Sequence, residues 1–416
     1  MEDVLTVQEV MERSSQWLLK AQDESGGWAE RPGEKLSALN TAEAVISLLD
    51  ARAVDAGDPR IQTALDFLKD HRGPSAGADR GAWHKEVGNG RLIPDIVRTA
   101  FAVMALIKGG RDRGSAPVKD ALEWLLGVQN QQAGDRGWGY SRGSPGAVFP
   151  TCLALLALVQ AYGPDIDRCP GGVSCKDAIE AGLGFLVAKY RNEDGSFGAQ
   201  EPLLAAHTIY ALLALQAARR CGLGPSAYLK TENEALRWLL RNPDKATRLV
   251  EETLDIAPGT KGTSYGFLFM TDSLLIRVLG DSADRRYRGS ELARQVLLNL
   301  KERWDQGSGG FYGSRVFSWS TAKVLSALSD AGYSEFPVLR PESPQFTLGR
   351  VLIFIFALML TGSVIYLTSV GGFHTLHALF FGFLVIVLLL VYGWISSKTF
   401  SDLVHAALRL RPQKEQ

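Results

Sequence analysis

A helical pattern that recurs six times constrains the fold of this chain more than any other feature of its sequence. Six apolar runs align without gaps on a threonine, at spacings of 50 to 63 residues: Thr41, Thr99, Thr151, Thr208, Thr271 and Thr321. The runs are rich in leucine and small residues, as in TCLALLALV, which is typical of helices buried on most sides. The runs between them, such as DALEWLLGVQ, keep a polar face. The repeat therefore predicts six helix pairs, each with one enclosed and one amphipathic member.

A glycine-rich turn with an aromatic residue precedes each enclosed helix. The first copy, QDESGGW, ends at Trp28, and DRGAW ends at Trp83. Further copies are QNQQAGDRGWGY, YRNEDGSFGA and WDQGSGGFYG, with a worn fifth copy, GTKGTSYGF, that ends at Phe267. Because glycine adopts positive φ at low cost, we interpret the motif as a tight turn. Its aromatic residue is predicted to fasten the amphipathic helix to that turn, and its glutamine to cap backbone groups.

The motif QDESGGW resembles the Gln-x-x-x-Gly-x-Trp repeat signature of squalene–hopene and oxidosqualene cyclases. The helix pairs are also similar to the β subunits of protein prenyltransferases. The resemblance covers roughly residues 10–333 and implies an all-α fold, an (α/α)6 toroid with an inner ring of helices inside an outer ring. An open superhelical solenoid is the alternative, because repeats alone do not show closure.

The resemblance implies terpenoid chemistry, but the acid motif of class II terpene cyclases, Asp-x-Asp-Asp, does not occur in the chain. Such an acid needs burial and carboxylate neighbours to stay protonated. Glu43, Asp95 and Asp272 are the candidate catalytic acids on or before enclosed helices, and each is isolated in sequence. The chain also has about half the length of two-toroid cyclases. A carbohydrate-active toroid would need a pair of carboxylates across the cavity, for which Glu43 and Asp272 are the candidates.

Zinc is the one cofactor that the resemblance suggests, through the prenyltransferase ligand set. Aligned on the repeat threonine, the family's histidine corresponds to His207 and its cysteine to Cys152, while its aspartate corresponds to Pro150. Asp272 on the next enclosed helix is the candidate third ligand. The alternative is that Cys152 is a small buried residue and that His207 is hydrogen-bonded at a helix start.

Several further residues near the ends of the enclosed helices are candidate ligand contacts. By the resemblance, an isoprenoid diphosphate would meet Arg98, Tyr210, Arg277 and Lys323. Trp319, Phe101, Phe149 and Tyr210 could line an apolar cavity. The alternatives are that the basic groups form a solvated face and that the aromatic rings fill the toroid.

Two long apolar runs near the C-terminus predict a membrane hairpin. Residues 351–370 and 378–395 contain no charged residue, and each is about the ~20 residues that a helix needs to span a bilayer. The basic residues flank the pair of runs, so the positive-inside rule places both chain ends in the cytoplasm. A buried hairpin of a soluble domain is the alternative. The predicted domains are a toroid at 1–333, a proline-rich linker at 334–346, the membrane hairpin at 347–397 and an amphipathic tail at 398–416.

Charge and cysteine usage limit the classes of partner. The 45 basic and 45 acidic residues give a net charge of zero, which argues against a nucleic-acid partner. Four cysteines without a CxxC pair are typical of a reducing compartment. We therefore expect a multi-pass membrane protein whose toroid faces the cytoplasm and binds an isoprenoid or other lipid. The alternative is a non-catalytic sensor or protein-interaction module, with a protein partner or a second copy of the chain, whose hairpin anchors it or acts as its effector.

Overall fold

The computed structural model describes residues 5–73, 76–87, 90–163, 175–199, 201–224, 227–247, 249–255, 264–282, 286–311 and 317–337. All of them belong to the first of two units into which the chain divides, Met1–Val338. The predicted spans 351–370 and 378–395 and the tail 398–416 lie outside the described residues. Within the described ranges, no helix combines the length and the hydropathy needed to cross a membrane.

Thirteen α-helices are present in the described residues. They are α1 Val7–Lys20, α2 Ala38–Asp50, α3 Pro59–Asp70, α4 Ile96–Lys108, α5 Ala116–Gly127, α6 Val148–Tyr162, α7 Cys175–Phe185, α8 Leu204–Arg220, α9 Ala227–Arg241, α10 Pro243–Ala246, α11 Thr271–Gly280, α12 Glu291–Arg303 and α13 Ser318–Ala331. Helix α7 continues as a π-helical turn, Leu186–Tyr190. The six enclosed runs of the sequence are α2, α4, α6, α8, α11 and α13, and the amphipathic partners are α1, α3, α5, α7, α9 and α12.

The inner helices form a closed ring. Each packs on the next in the order α2, α4, α6, α8, α11 and α13, and α13 packs on α2. The outer helices α3, α5, α7, α9 and α12 pack mainly on the inner helix that comes before them in sequence, and α1 packs on α13. The toroid expected from the repeats is therefore confirmed, and the open solenoid is wrong.

The two ends of the toroid are joined by backbone hydrogen bonds. The N–H of Val7 donates to the carbonyl of Ser334 at 3.1 Å, and the N–H of Phe336 donates to the carbonyl of Leu5 at 3.3 Å. The side chain of Phe336 is buried in the core. Residues 334–336, which the sequence assigned to the linker, thus pair with the start of α1.

The repeat threonine connects each turn to its inner helix. The hydroxyl of Thr41 accepts the backbone N–H of Trp28 at 2.9 Å, and that of Thr99 accepts the N–H of Trp83 at 2.9 Å. The same contact recurs at Thr151, Thr208 and Thr321. The indole N–H of Trp28 also donates to the carbonyl of Leu18 on α1, at 2.8 Å. The aromatic residue therefore ties an outer helix to its inner helix, as the sequence predicted.

Motif glutamines and glycines attach each turn to the next outer helix. Gln22 donates to the carbonyls of Gly26 and Arg60, at 3.0 and 2.9 Å, and so joins its turn to α3. Gly26 has a φ of +92°, and a Cβ there would lie 2.7 Å from the backbone of Thr63 on α3. Gly309 in the last turn approaches the backbone of Arg13 on α1 in the same way. The last turn therefore uses the first outer helix to complete the ring.

Three antiparallel hairpins interrupt the helical pattern in the described residues, so the all-α expectation is wrong in this detail. They pair β1 Trp28–Ala29 with β2 Leu36–Ser37, β3 His84–Val87 with β4 Arg91–Pro94, and β5 Leu249–Asp255 with β6 Ser264–Met270. Each hairpin lies just before an inner helix: β1–β2 before α2, β3–β4 before α4, and β5–β6 before α11. The worn fifth turn of the sequence overlaps β6, where a seven-residue strand replaces the short turn.

Candidate functional site

A cavity of about 380 Å³ lies inside the ring and is lined by all six inner helices. Its lining residues recur at fixed distances from the repeat threonines, at the +2, +5 and +9 positions. The +2 residues are Glu43, Phe101, Leu153, Tyr210 and Lys323; the +5 residues are Ile46, Met104, Leu156, Leu213 and Ser326; the +9 residues are Asp50, Lys108, Gln160 and Ala217. Helix α11 contributes Leu274 and Arg277, each one residue later in its repeat. Since +2 and +9 are seven residues apart, the layers span ~10 Å along the helix axes.

A buried ion pair occupies the +2 layer, which we call the inner end of the cavity. Nζ of Lys323 donates to Oε1 of Glu43 at 2.7 Å, and both side chains are over nine-tenths buried. The pair connects the first inner helix to the last. The ammonium group also lies 5.4 Å from the ring centroid of Phe101, which adds a cation–π contact. Tyr210 belongs to the same layer and packs edge-on against Phe149, with ring centroids 4.6 Å apart.

The electrostatics of the inner end keep the lysine charged. Burial lowers the pKa of Lys323, but the carboxylate of Glu43 and a hydrogen bond with Tyr210 outweigh it, so that the pKa rises above its ordinary value. Burial raises the pKa of Tyr210, although the nearby ammonium of Lys323 acts in the opposite direction. The ion pair with Glu43, at 2.7 Å, is thus the main contact of the Lys323 ammonium group.

The mouth of the cavity is formed by the +9 residues Asp50 and Lys108 together with Arg220 and Arg277, which reach it from other positions of their helices. The three basic side chains are more exposed than that of Lys323, whereas the side chain of Asp50 is buried. Lys108 contacts Asp50 across α4 and α2, and Asp50 also accepts a hydrogen bond from Ser326 on α13. Arg277 pairs with Asp330 at 2.9 Å, and Arg220 pairs with Asp281 at 2.7 Å. The side chains of Lys108, Arg220 and Arg277 are 33%, 48% and 30% exposed, against 7% for Lys323 at the inner end. The cavity thus has a buried end and a solvent-facing end.

Asp272 does not share the cavity with Glu43, so the predicted pair of acids is not formed. It follows Thr271 by one residue, and neighbouring residues of an α-helix are rotated by ~100°. Its carboxylate pairs with Arg303 of α12 at 2.9 Å and accepts the N–H of Ser273 at 3.0 Å. Burial raises the pKa of Asp272, and Arg303 counteracts the rise. The structure therefore does not bring Glu43 and Asp272 together on the cavity wall.

Three other predicted residues also lie outside the cavity lining. Asp95 is the N-cap of α4, where its Oδ1 accepts the backbone N–H of Arg98 at 2.7 Å. The guanidinium of Arg98 turns back to the same carboxylate, at 3.4 Å. Trp319 is buried one turn before Lys323 and stacks on Phe317, with centroids 5.8 Å apart. These residues have structural contacts that explain their positions.

The predicted zinc ligands are not brought together. The described residues, which include all three candidates, hold no group of three His, Cys, Asp or Glu side chains that could bind a metal ion. Cys152 is fully buried, and burial raises the pKa of its thiol well above the ordinary value. His207 packs on the turn at Gly198, where a Cβ would lie 2.8 Å from Nδ1. None of the three candidates is among the residues that line the cavity.

Cys175 also differs from what the sequence predicted for the cysteines. Cys175 at the start of α7 is disulfide-bonded, whereas four scattered cysteines were interpreted as typical of a reducing compartment. Cys221, directly after α8, is a free and half-buried thiol that lines the cavity near the mouth. Sequence reasoning missed Cys221 together with Asp50, Lys108 and Arg220. Counting from the repeat threonine would have found Asp50 and Lys108, since both are +9 residues.

The family comparison agrees with the resemblance in the sequence. Residues 2–155 match the model of the squalene-hopene cyclase C-terminal domain. No curated protein is similar enough in sequence to match the chain. The matched range covers the first three turn motifs and the first half of α6. All three Trp–Thr connections, at Thr41, Thr99 and Thr151, lie within it.

Solved structures with the same architecture come from several enzyme classes. An α-1,6-mannanase, GH76A of Salegentibacter sp. HEL1_6, has a TM-score of 0.56 at 11% identity, over 78% of this chain and 99% of that chain. A variant of the type II terpene cyclase MstE from Scytonema, in complex with geranylgeranyl dihydroxybenzoate, has a TM-score of 0.51 at 15% identity, over 78% and 97% of the two chains. The cellobiose 2-epimerase from Bacillus thermoamylovorans B4167 has a TM-score of 0.53 at 11% identity, over 78% and 98%. At these identities the likeness concerns the fold. Together with the matched domain model, it confirms the similarity to squalene cyclase-like toroids.

Proposed function

We propose that the toroid binds one isoprenoid or other lipid-like chain in its central cavity, and that the C-terminal hairpin holds it at a membrane. The observation that carries this proposal is the composition of the cavity wall between its two charged layers. The +5 residues Ile46, Met104, Leu156 and Leu213 come from four successive inner helices and are apolar, while α13 and α11 contribute Ser326 and Arg277 at the corresponding positions. Such a belt favours an apolar chain over a sugar, because a sugar's hydroxyls would lose their hydrogen bonds to water there.

The size of the cavity sets the size of the expected ligand. At ~30 Å³ per non-hydrogen atom, the share of a water molecule in the liquid, 380 Å³ accommodates roughly a dozen such atoms. A chain of ten to fifteen carbons matches this volume, whereas a triterpene of thirty carbons exceeds it. The proposed ligand is therefore shorter than the substrates of squalene cyclases, whose domain model the chain matches.

Binding without acid catalysis agrees with the chemistry of the inner end. A cyclase acid must hold a proton to donate, and its site accordingly disfavours the carboxylate. Oε1 of Glu43 instead accepts a hydrogen bond from the ammonium group of Lys323 at 2.7 Å, and the chain has no Asp-x-Asp-Asp motif. We propose that the ion pair gives the inner end a fixed charge pattern and that Glu43 is not a proton donor. A non-catalytic lipid sensor is thus preferred to a cyclase.

Site-resolved labelling of Cys221 tests ligand binding. This thiol lines the cavity, whereas Cys152 is fully buried. We expect alcohols of ten and fifteen carbons to slow maleimide labelling of the peptide that contains Cys221, and squalene to have no effect. The variant Leu156→Trp fills the apolar belt and should abolish protection without loss of the folded state. Equal labelling with and without every alcohol would contradict the proposal.

Membrane attachment is tested separately. Residues 351–370 and 378–395 carry no charge and support the proposed hairpin. The full chain should stay in membranes after alkaline carbonate extraction, and a chain that ends at Val338 should be released. Release of both would contradict the anchor.

We further propose that the toroid faces the cytoplasm, on the strength of the basic residues that flank the hairpin. The disulfide at Cys175 favours the opposite side, because disulfides persist in oxidising compartments. A reporter fused to the C-terminus distinguishes the two orientations. Activity of a reporter that works only outside the cytoplasm would contradict the proposed one.

A further inference from the structure

The cavity offers a chain-shaped ligand two different ends. At the inner end the charged groups Glu43 and Lys323 are paired and over nine-tenths buried. At the mouth, Lys108, Arg220 and Arg277 line the same cavity with a third to a half of their side chains exposed. A ligand that enters an enclosed apolar space with a polar head keeps that head at the solvent-facing end, where it loses less hydration.

The mouth has hydrogen-bond donors beyond those used by its ion pairs. A guanidinium has five N–H donors in a planar fork. The contact of Arg220 with Asp281 is made through one of its terminal nitrogens, and that of Arg277 with Asp330 likewise. Nε of Arg277 is buried and has no hydrogen-bond partner among the residues that the structure describes. Unused guanidinium donors at the rim of an apolar cavity are suited to a carboxylate or a phosphate.

Lys108 and Arg277 are close enough for their charges to interact at the mouth. Burial lowers the pKa of Lys108, the Asp330 carboxylate opposes this change, and the Arg277 guanidinium adds to it. Because Lys108 also contacts Asp50, the donors that remain at the mouth are those of the two guanidinium groups.

We propose that the ligand is an anionic amphiphile with a single chain, whose carboxylate or phosphate head binds Arg220 and Arg277 at the mouth while its chain occupies the apolar belt. This proposal rests on the proposed binding function and adds the chemistry of the head group and its direction. The resemblance would have gathered Arg98, Tyr210, Arg277 and Lys323 around one anion. In the structure Arg277 is at the mouth, Tyr210 and Lys323 are at the inner end, and Arg98 lies outside the cavity lining.

A purely structural role for these cations makes a different prediction. The ion pairs connect neighbouring helices of the ring, so that Arg220 and Arg277 could serve only to stabilise it. In that case their removal would lower the stability of the toroid and would weaken the binding of charged and neutral chains alike. The ratio of the affinities for an anionic and a neutral chain of equal length separates the two roles.

The experiment measures protection of Cys221 in the full chain by decanoate, decyl phosphate and 1-decanol. We expect both anions to bind about tenfold more tightly than the alcohol, as a charge-assisted hydrogen bond at a partly exposed site provides. Arg220→Gln and Arg277→Gln should each remove most of this preference and leave the binding of decanol unchanged. A preference for only one of the two anions would identify the head as carboxylate or phosphate.

Arg60→Gln is the matched control. Arg60 lies on outer helix α3, is 49% exposed and pairs with Asp58 at 2.7 Å, as Arg220 is 48% exposed and pairs with Asp281 at 2.7 Å. The control variant should keep the wild-type preference. Equal binding of decanoate, decyl phosphate and decanol to the unaltered chain would overturn the head-group proposal, as would a preference that survives in both arginine variants. No protection by any of the three would instead remove the binding function itself.

Discussion

At the scale of single residues, the inner end of the cavity is a polar cluster built around one buried ion pair, Glu43 and Lys323. Glu43 and Lys323 come from the first and last inner helices, at a sequence separation of 280, and still form a 2.7 Å contact. Taking two charges out of water is costly, so each charge depends on the other. Phe101 and Tyr210 complete the cluster and leave the ammonium little access to solvent.

Removing one partner of this pair should destabilise the toroid more than replacing both partners by apolar residues. Lys323→Met leaves the carboxylate of Glu43 buried without a counterion, and we expect a loss of about 3–5 kcal/mol in the free energy of unfolding. The double variant Glu43→Leu with Lys323→Met removes both charges and should lose less than the single variant. Urea unfolding followed by circular dichroism measures both. A single-variant loss below ~1 kcal/mol, or losses that simply add, would show that the two charges are not coupled.

Lys85 on β3 provides a second prediction about a single residue. Burial, together with the charge of Arg98 and against the opposing effect of Asp95, lowers the pKa of Lys85 to about 8. At pH 8 roughly half of the Lys85 amines are then neutral, against well under 1% for a lysine of ordinary pKa. Competitive acetylation at pH 8, read by mass spectrometry, should modify Lys85 faster than the exposed Lys35. A faster reaction at Lys35 would contradict the lowered pKa.

Among the structural elements, the turn between an outer and an inner helix is the unit that repeats most faithfully. In five repeats of the described residues, the threonine accepts the N–H of the aromatic residue at 2.8 to 3.0 Å. In three of them a tryptophan also donates to an outer-helix carbonyl, at Leu18, Leu68 and Leu125. The turns thus position the inner helices, and thereby the residues that line the cavity.

The contribution of the threonine acceptor to the stability of the toroid can be measured with a matched pair of Thr→Val variants. Thr99→Val leaves the buried N–H of Trp83 without an acceptor, and an unsatisfied buried donor costs about 1–3 kcal/mol. Thr247→Val is the control, because the hydroxyls of Thr99 and Thr247 both donate to the carbonyl four residues earlier. Among the described residues, the hydroxyl of Thr99 accepts an N–H and that of Thr247 does not. Thermal unfolding should show a larger loss for Thr99→Val. Equal losses would mean that the connection to the turn contributes little.

The helices, turns and hairpins also show which parts of the fold could be predicted from the sequence. The repeats predicted the six helix pairs, and the tryptophan of QDESGGW was assigned its connecting role correctly. The same threonine alignment singled out Cys152, His207 and Asp272 as zinc ligands, but none of the three lines the cavity, and no group of metal-binding side chains is found in the described residues. Which face of a buried helix points inward could not be read from runs that are apolar on all sides. The hairpins β3–β4 and β5–β6 were missed because their sequences follow no six-fold pattern.

For the whole molecule, closure of the ring is the property that creates the site. The last inner helix packs on the first, the last turn packs on α1, and residues 334–336 pair with the chain start. An open solenoid would present the +2, +5 and +9 residues on a concave surface, whereas the closed ring encloses them in 380 Å³. The polarity of that space, with a buried ion pair at one end and exposed cations at the other, could not be predicted before closure was known.

Native mass spectrometry of the full chain, released from membranes in mild detergent, tests the central claim that the enclosed space is a lipid site. We expect one bound molecule per chain, with a mass that corresponds to a chain of ten to fifteen carbons and an acidic head. The variant Leu156→Trp with Leu213→Trp fills the apolar belt and should be recovered folded and without ligand. Wild-type chain that carries no ligand, or a ligand retained equally by the filled variant, would contradict the claim.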